Sequence, residues 1–184
     1  LEKTGNLDNT LIVFAGDNGL AVGQHGLMGK QCLYEHSVRV PLIMAGPGIP
    51  EGEKRDSLVY LLDIFPTLCE LTEADTPESV EGIGFKKCID DSNKTIRDDL
   101  YLVYTSTIRG YTDSTYKLIE YHKGETQLFD LANDPLEMNN LAEEETGKVT
   151  ELRKRLYEMA EEWDDEGHEM GRSFWSKRND LKVT

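Results

Sequence analysis

The feature that most constrains this sequence is one continuous stretch, 10–42, in which a glycine-rich loop separates two apolar runs. The first run, Thr10 to Ala15, is rich in β-branched residues and predicts a strand buried on both faces. The second run, Val40 to Ala45, predicts another such strand. The loop, Gly16 to Lys30, has glycine at 16, 19, 23, 26 and 29. A buried strand ending in such a loop is typical of an open α/β sheet, which binds ligands at the carboxyl ends of its strands.

The rest of the first 75 residues continues the alternation of strand and helix. Leu61 to Leu71 has apolar residues at helical spacing and predicts a helix with a wide apolar face. We therefore predict that residues 1–75 are part of an α/β domain. Residues 76–97 are polar, contain Pro77, Gly82 and Gly84, and predict a linker.

Residues 98–184 have a different pattern, which predicts a small α+β subdomain. Four short runs rich in Tyr, Ile, Val, Leu and Thr predict an antiparallel meander: Leu100–Tyr104, Thr107–Gly110, Tyr116–Tyr121 and Thr126–Leu131. A helix is predicted from Thr146 to Glu166, with Gly167 as its stop and one apolar stripe: Val149, Leu152, Leu156, Met159, Ala160 and Trp163. In the tail, His168 to Thr184, the aromatic residues Phe174 and Trp175 indicate that the tail packs against another surface.

Charge and composition narrow the classes of partner. The formal net charge of -15 argues against nucleic acid and anionic membranes as partners. No apolar run approaches the roughly 20 residues that span a bilayer. The three cysteines, Cys32, Cys69 and Cys88, are too few and too scattered for a disulfide scaffold or a zinc ribbon, and allow at most one internal bridge.

The loop contains the polar groups that point to chemistry. Asp17 and Asn18 offer hard oxygen ligands, which suit Ca²⁺ or Mg²⁺ rather than zinc or copper, although Ca²⁺ takes about six to eight oxygens. By itself Asp-Asn-Gly is also an ordinary turn sequence. His25 and Lys30 can donate hydrogen bonds to an anion, and Lys30 adds a positive charge. The spacing favours an anionic ester held between a metal and a lysine, against the alternative of a surface histidine and a solvated lysine.

These residues carry a resemblance to a known family. Three pieces of the sequence resemble the second metal-binding segment of the type I, formylglycine-dependent sulfatases of the alkaline phosphatase superfamily. They are Asp17-Asn18-Gly19, Gln24-His25-Gly26-Leu27-Met28-Gly29-Lys30 and Tyr34-Glu35. The resemblance continues in the same order at Leu62 to Leu68, at Tyr116 to Ile119 with Leu128 to Leu131, and at Asn133 to Glu137. It covers about Thr10 to Leu141, and the combination is more specific than any one piece. The resemblance implies that residues 1–75 are the C-terminal part of an α/β catalytic domain, built as a sheet sandwich like that of sulfatases and alkaline phosphatase.

The resemblance implies roles for individual residues. Asp17 and Asn18 match two Ca²⁺ ligands, with Mg²⁺ as the alternative ion. Lys30 matches a lysine that binds the substrate sulfate, and His25 is interpreted as a catalytic or substrate-side contact. Glu35 and Arg39 are interpreted as a structural pair, four positions apart on a helical turn. Family habit implies a periplasmic, secreted or lysosomal location and a sulfate-ester substrate that is a small molecule or a saccharide.

The sequence departs from the family pattern at the nucleophile. The family makes formylglycine from the Cys of a C-x-P/A-x-R motif, and none of the three cysteines has that context. The family's Asp-Asp metal pair has no match either, because Asp90-Asp91, Asp98-Asp99 and Asp164-Asp165 lie outside the required position after a first strand. Since Leu1 is also not an initiator Met, we expect the C-terminal portion of a sulfatase that needs the missing N-terminal part of its catalytic domain.

Two alternatives stay open from the sequence. One is a related phosphodiesterase or phosphonate monoester hydrolase, a branch that often has Asp-His where this chain has Asp17-Asn18. The other is a non-catalytic C-terminal module that packs against a partner through the acidic helix and the Phe174-Trp175 tail. If the other strands of the catalytic sheet are absent, the two apolar strands should expose apolar edges and the isolated chain should self-associate.

Overall fold

The computed structural model describes residues 1–182, a mixture of helices and antiparallel strands. The strands are β1 (Ile12–Ala15), β2 (Ala21–Val22), β3 (Met28–Gly29), β4 (Leu42–Ala45), β5 (Leu100–Tyr104), β6 (Ile108–Thr112), β7 (Tyr116–Tyr121) and β8 (Thr126–Asp130). The α-helices are α1 (Glu35–Val38), α2 (Ile64–Thr72), α3 (Lys86–Asp90), α4 (Thr146–Glu162) and α5 (Glu169–Lys177). None of these helices is long and apolar enough to cross a membrane, within the part of the chain described.

The described residues group into two compact units whose limits differ from the predicted domain boundaries. The first unit contains Leu1–Asp17 and Val40–Asp98, and the second contains Asn18–Arg39 and the chain from Asp99 onwards. Most of the glycine-rich loop therefore belongs with the C-terminal sheet, and not with the strand that precedes it. The division into domains at 1–75, 76–97 and 98–184 stays a prediction.

In the first unit, β1 and β4 form an antiparallel pair, with Phe14 opposite Ile43 and Val13 opposite Met44. Both predicted strands exist, but the prediction that they are buried on both faces is wrong. Phe14 and Ile43 are each 60% exposed. The reason is that only one face of the pair is packed: Leu42 and Met44 contact the core of the first unit, whereas the face with Phe14 and Ile43 is open to solvent among residues 1–182. The apolar exposure expected from missing strands is thus present.

The predicted helix at 61–71 forms as a short 3-10 helix, Leu61–Asp63, followed by α2. Its predicted apolar face is only partly buried: Cys69 is buried, whereas Leu62 and Phe65 are 42% and 52% exposed. Polar groups are buried instead. Thr67 Oγ1 donates to the carbonyl of Asp63 at 2.7 Å and accepts the backbone N–H of Phe85 at 2.9 Å.

The segment expected to be a linker is folded onto this helix. Its Phe85, Cys88 and Ile89 form the core of the first unit, together with side chains from β4 and α2. The Arg97 guanidinium pairs with the Asp63 carboxylate, which is fully buried. Sequence periodicity missed this segment because its apolar residues are few and α3 is a single short helix.

In the second unit, β5, β6, β7 and β8 form the predicted antiparallel meander in sequence order. One face packs against α4 and α5 through a buried core: Tyr101, Tyr111, Leu118, Leu128, Val149, Leu152, Leu156, Met159, Ala160, Phe174, Trp175 and Leu181. The predicted stripe of α4 is confirmed except at Trp163, which is 39% exposed. That residue follows the last residue of α4, Glu162, so the helix ends before the predicted stop at Gly167.

The other face of this sheet is covered by the segment that follows the glycine-rich loop. Cys32, Leu33 and Tyr34 pack on Ile108, Ile119 and Phe129. Gly110 on β6 allows the contact, because a Cβ at that position would lie 2.8 Å from Leu33 Cδ1. The sheet is therefore buried on both faces, by helices on one side and by residues 32–38 on the other.

Candidate functional site

Asp17 and Asn18 follow β1 after one residue, Gly16, at the point where the chain passes from the first unit to the second. Asp17 is exposed and Asn18 is partly buried. The backbone immediately after them is held against α1: the N–H of Gly19 donates to the carbonyl of Ser37 at 2.9 Å. Gly19 is thus closely packed, since a Cβ at position 19 would lie 1.8 Å from the carbonyl oxygen of His36.

His25 lies in the short 3-10 turn between β2 and β3, with a left-handed backbone at φ 52°. Its ring stacks on that of Tyr34, with the centroids 4.0 Å apart and the planes within 1° of parallel. The ring of His36 is 5.7 Å away. The turn and the stacking together hold the imidazole of His25 in one orientation.

Lys30 directly follows β3 and is exposed. Its ammonium forms no hydrogen bond or ion pair with any other residue in 1–182. The position of its backbone is nevertheless restrained, because Met28–Gly29 pairs with β2 on one side and Cys32 is buried on the other. A restrained backbone carrying an unpaired cation is suited to binding an anionic ligand.

The helix α1 is the common support of this segment. Tyr34, which precedes it, donates its hydroxyl to Gln127 Oε1 at 3.0 Å on β8. Glu35 pairs with Arg39 at 3.7 Å, as the four-residue spacing predicts, and its carboxylate also lies 2.6 Å from Lys117 Nζ. Both contacts confirm that Glu35 has a structural role.

Sequence reasoning missed three contributors to this arrangement: Tyr34, Lys117 and Glu137. Lys117 could have been found, because it lies at an alternate position of β7 with Ile119, a residue of the buried face. A lysine at an inward position of an apolar strand needs buried acceptors. The identity of those acceptors could not be read, since Glu35 and Glu137 lie 82 and 20 positions away along the chain.

The electrostatic environment of His36 differs from that of a solvent-exposed histidine. Burial lowers the pKa of His36 below 6.5, and the neighbouring His25 and Lys117 lower it further, whereas Glu137 acts in the opposite sense. His36 is therefore neutral at neutral pH. Its Nε2 lies 3.4 Å from Cys32 Sγ, which is also 3.1 Å from Ser37 Oγ.

The predicted metal ligands do not form a complete site by themselves. Among residues 1–182, no group of three or more His, Cys, Asp or Glu side chains is arranged to hold a metal ion. The carboxylate and amide of Asp17 and Asn18 fit a hard cation, but they supply only part of the roughly six to eight ligands of Ca²⁺. All three cysteines are buried and free, so none is an exposed nucleophile in this part of the chain.

Two clefts lie on the surface of the second unit. One, of about 640 Å³, lies between the start of β8 and α4 and is lined by Gln127, Asn140 and Arg153 among others. A smaller one, of about 250 Å³, lies beside the end of α4. Neither is lined by Asn18, His25 or Lys30.

Comparison with known proteins shows the family of this chain. The family N-sulphoglucosamine sulphohydrolase, C-terminal, matches residues 23–163, a range that contains His25 and Lys30. An arylsulfatase of Clostridium perfringens is 34% identical over 174 residues, which cover 88% of this chain and 36% of that protein. An N-acetylglucosamine-6-O-sulfatase of Bacteroides thetaiotaomicron is 32% identical over 181 residues, covering 90% of this chain and 32% of that protein.

Solved structures show the same similarity. BT4656 in complex with its substrate D-glucosamine-2-N,6-O-disulfate is similar with a TM-score of 0.81 and 30% identity, over 90% of this chain and 37% of that one. The phosphonate monoester hydrolase SpPMH from Silicibacter pomeroyi has a TM-score of 0.76 at 20% identity, which shows a shared fold alone. The chain spans about a third of the length of these relatives. It belongs to the N-sulphoglucosamine sulphohydrolase, C-terminal, family, and it is similar in sequence and fold to sulfatases.

Proposed function

We propose that the protein containing this chain hydrolyses sulfate monoesters, and that this chain supplies one wall of the active site. The proposal rests on the environment of the Lys30 side chain. Its ammonium is exposed and unpaired within residues 1–182, on a backbone restrained from both sides. Its charge would neutralise the negative charge that develops on the sulfate oxygens in the transition state, as an oxyanion hole does.

His25 has the second role on the substrate side. Its imidazole, stacked on Tyr34, would donate a hydrogen bond to the sulfate or to the leaving-group oxygen. The left-handed backbone at His25 supports this role, because such strain in a non-glycine residue is concentrated at functional sites.

Asp17 and Asn18 would hold the metal ion, Ca²⁺ or alternatively Mg²⁺, together with ligands from outside these residues. Their oxygens are the hard donors that such ions prefer. The ion supplies polarisation of the ester, and a formylglycine nucleophile would come from sequence beyond these 184 residues.

A sulfated saccharide is the substrate class that the relatives favour. The related Bacteroides protein is an N-acetylglucosamine-6-O-sulfatase, and BT4656 binds D-glucosamine-2-N,6-O-disulfate. A negative chain offers no general attraction to a long polysulfated polymer, which favours a small saccharide.

The alternatives are less well supported. The non-catalytic module was expected to use Phe174 and Trp175 as its interface, but both are fully buried in the second unit. Trp175 Nε1 also donates to Asp165 Oδ2 at 2.7 Å. The phosphonate hydrolase alternative rests on a fold shared with SpPMH at 20% identity. This chain has Asp-Asn at positions 17 and 18, where that branch often has Asp-His.

The decisive experiment uses the protein that carries this sequence together with the nucleophile. Lys30→Met is expected to lower kcat/KM for an aryl sulfate by about 10²–10³, the usual effect of removing one oxyanion donor. Lys154→Met is the matched control, because Lys154 is an exposed lysine of α4. Full activity in the Lys30 variant, or faster turnover of an aryl phosphonate than of the sulfate, would overturn the proposal.

The 184-residue chain alone makes a second test. We expect no turnover of an aryl sulfate, because the chain has no exposed cysteine nucleophile among the residues described. Isothermal titration with Ca²⁺ should show weak binding or none, since too few ligands are present. Submicromolar Ca²⁺ affinity would mean that the metal site is assigned incorrectly.

A further inference from the structure

Three charged side chains form a buried ionic group behind the loop that carries His25 and Lys30. Lys117 of β7 is fully buried, and its Nζ lies 2.6 Å from Glu35 Oε1 and 2.8 Å from Glu137 Oε1. The Glu137 side chain is 1% exposed. A buried ammonium is stable only with such partners. The group therefore ties α1, β7 and the turn at 134–139 to one another.

Glu137 makes a second contact that Lys117 does not explain. Its Oε2 accepts the backbone N–H of Glu35, the first residue of α1, at 2.7 Å. Glu137 also has a left-handed backbone at φ 57°, a conformation in which glycine or asparagine is more usual. A glutamate in this conformation indicates that the position is set by what its carboxylate binds.

The helix α1 is in turn the support of the proposed substrate contacts. Tyr34, directly before it, carries the stacked ring of His25. The carbonyl of Ser37 accepts the N–H of Gly19, at the start of the loop. Lys30 stands five positions before Glu35, and the residues between them include Cys32 and Leu33, which are buried on the sheet. A displacement of α1 would therefore displace both His25 and Lys30.

We propose that Glu137 and Lys117 are positioning residues for the sulfate-binding loop, which they fix by anchoring the start of α1. This inference rests on the proposed function of His25 and Lys30. It assigns a role in substrate binding to two residues that lie 87 or more positions beyond Lys30 in the sequence. Neither residue touches the substrate; both act through α1.

The charges of the group allow a test without unfolding the protein. The group contains two carboxylates and one ammonium, so Glu137→Gln leaves a neutral pair of Lys117 and Glu35. Glu137→Gly removes the whole side chain and at the same time relieves the left-handed backbone. Lys117→Met is less suitable, because it leaves two carboxylates without their partner.

The experiment measures the loop and the ligand separately on the protein that carries this sequence together with the nucleophile. Amide hydrogen exchange over residues 19–31 and the NMR resonances of the His25 ring report the position of the loop. Titration with inorganic sulfate reports the site. We expect Glu137→Gly to accelerate exchange in the loop and weaken sulfate binding by about tenfold, the scale of effect seen when a supporting contact is lost, with Glu137→Gln intermediate.

Arg155→Met is the matched control. Arg155 pairs with Asp99 at 2.7 Å from α4, on the opposite face of the sheet, and contacts no part of the loop. Its removal should leave the exchange of residues 19–31, the His25 resonances and the sulfate affinity unchanged. A general loss of stability would instead change the loop equally in both variants.

The outcomes are distinct. Unchanged loop exchange and an unchanged His25 ring in Glu137→Gly would overturn the inference. If that variant does not fold, Glu137→Gln decides by the same two measurements. Changed exchange in a chain whose sulfate binding is insensitive to Lys30→Met would support the anchoring of the loop and count against the proposed function.

Discussion

Gly19 is the position of the loop that has the least room for a side chain. Its N–H is bonded to Ser37, and the position of its absent Cβ lies 1.8 Å from the backbone of His36. Gly23 and Gly26 differ: a Cβ there would meet nothing within 4 Å, but their φ angles are +107° and +69°. The glycines of this loop thus serve two purposes, close packing at one end and left-handed turns in the middle.

The first residue-scale prediction concerns Gly19→Ala. Because the neighbouring atom is backbone, α1 must shift, and we expect the second unit to lose about 1–3 kcal/mol in free energy of unfolding. Gly147→Ala is the control, since a Cβ there is unobstructed on α4 and should add up to about 1 kcal/mol. Urea denaturation monitored by circular dichroism measures both. Equal effects of the two substitutions would contradict the assigned packing.

The second residue-scale prediction concerns pH. The pKa of His36 is below 6.5 in the folded chain, mainly because of burial, so the folded state binds fewer protons than the unfolded state below that pH. The stability linked to His36 is therefore fully present above pH 6.5 and is lost as pH falls below it. When the pH is lowered from about 7.5 to about 5.5, the free energy of unfolding should fall less in His36→Gln than in the unmodified chain. Chemical denaturation at the two pH values measures this. The same loss in both would contradict the prediction.

At the scale of elements, the four-stranded sheet has a buried ionic group on each face. Arg109 of β6, on the α4 face, donates to both carboxylate oxygens of Asp165 at 2.7 and 3.1 Å, and its guanidinium lies over the Phe174 ring. The same carboxylate accepts the Tyr101 hydroxyl at 2.9 Å and the Trp175 indole N–H at 2.7 Å. Asp165 therefore joins the sheet to α5.

The prediction at this scale is that Asp165→Asn removes the charge opposite a fully buried guanidinium. Breaking a buried pair by removing one partner costs about 3–5 kcal/mol in free energy of unfolding. Glu158→Gln, which weakens an exposed pair with Lys154 at 3.9 Å, should change it by less than about 1 kcal/mol. Thermal unfolding of the two variants gives the comparison, and a small effect at Asp165 would show that solvent reaches the pair.

For the whole molecule, the first unit has large apolar side chains on its surface. Phe14 and Ile43 face each other across the β1–β4 pair, and both are 60% exposed. Exposed apolar strands with free edges tend to pair with other chains. We expect this surface to be covered in the larger protein that is proposed to contain this chain.

The whole-molecule prediction is that the isolated chain self-associates through this surface. Combining Phe14→Ser with Ile43→Thr should raise the monomer fraction in size-exclusion chromatography at micromolar concentration. Leu136→Ser is the control, because Leu136 is 72% exposed but belongs to the second unit and not to the β1–β4 pair. A sharp monomer peak from the unmodified chain would contradict the prediction.

The parts of the fold that the sequence predicted are those with a clear local period. The meander and the stripe of α4 have alternating or helical spacing, and both are confirmed. The burial of β1 and β4 was predicted wrongly, because an apolar run signals a strand suited to burial but not whether covering elements are present. The folding of 76–97 was missed, because Phe85 and Cys88 pack through contacts distant in sequence.

By itself, the sequence determined the family, the meander, the helix α4 and the four residues proposed to bind metal and sulfate, because these depend on local periodicity or on short motifs within one loop. Only the tertiary structure decided what supports that loop. It showed that residues 18–39 belong with the C-terminal sheet, and that Glu137 and Lys117 hold the start of α1. The reason is physical: a buried ion pair depends on which segments meet in space, and spacing along the chain does not record that.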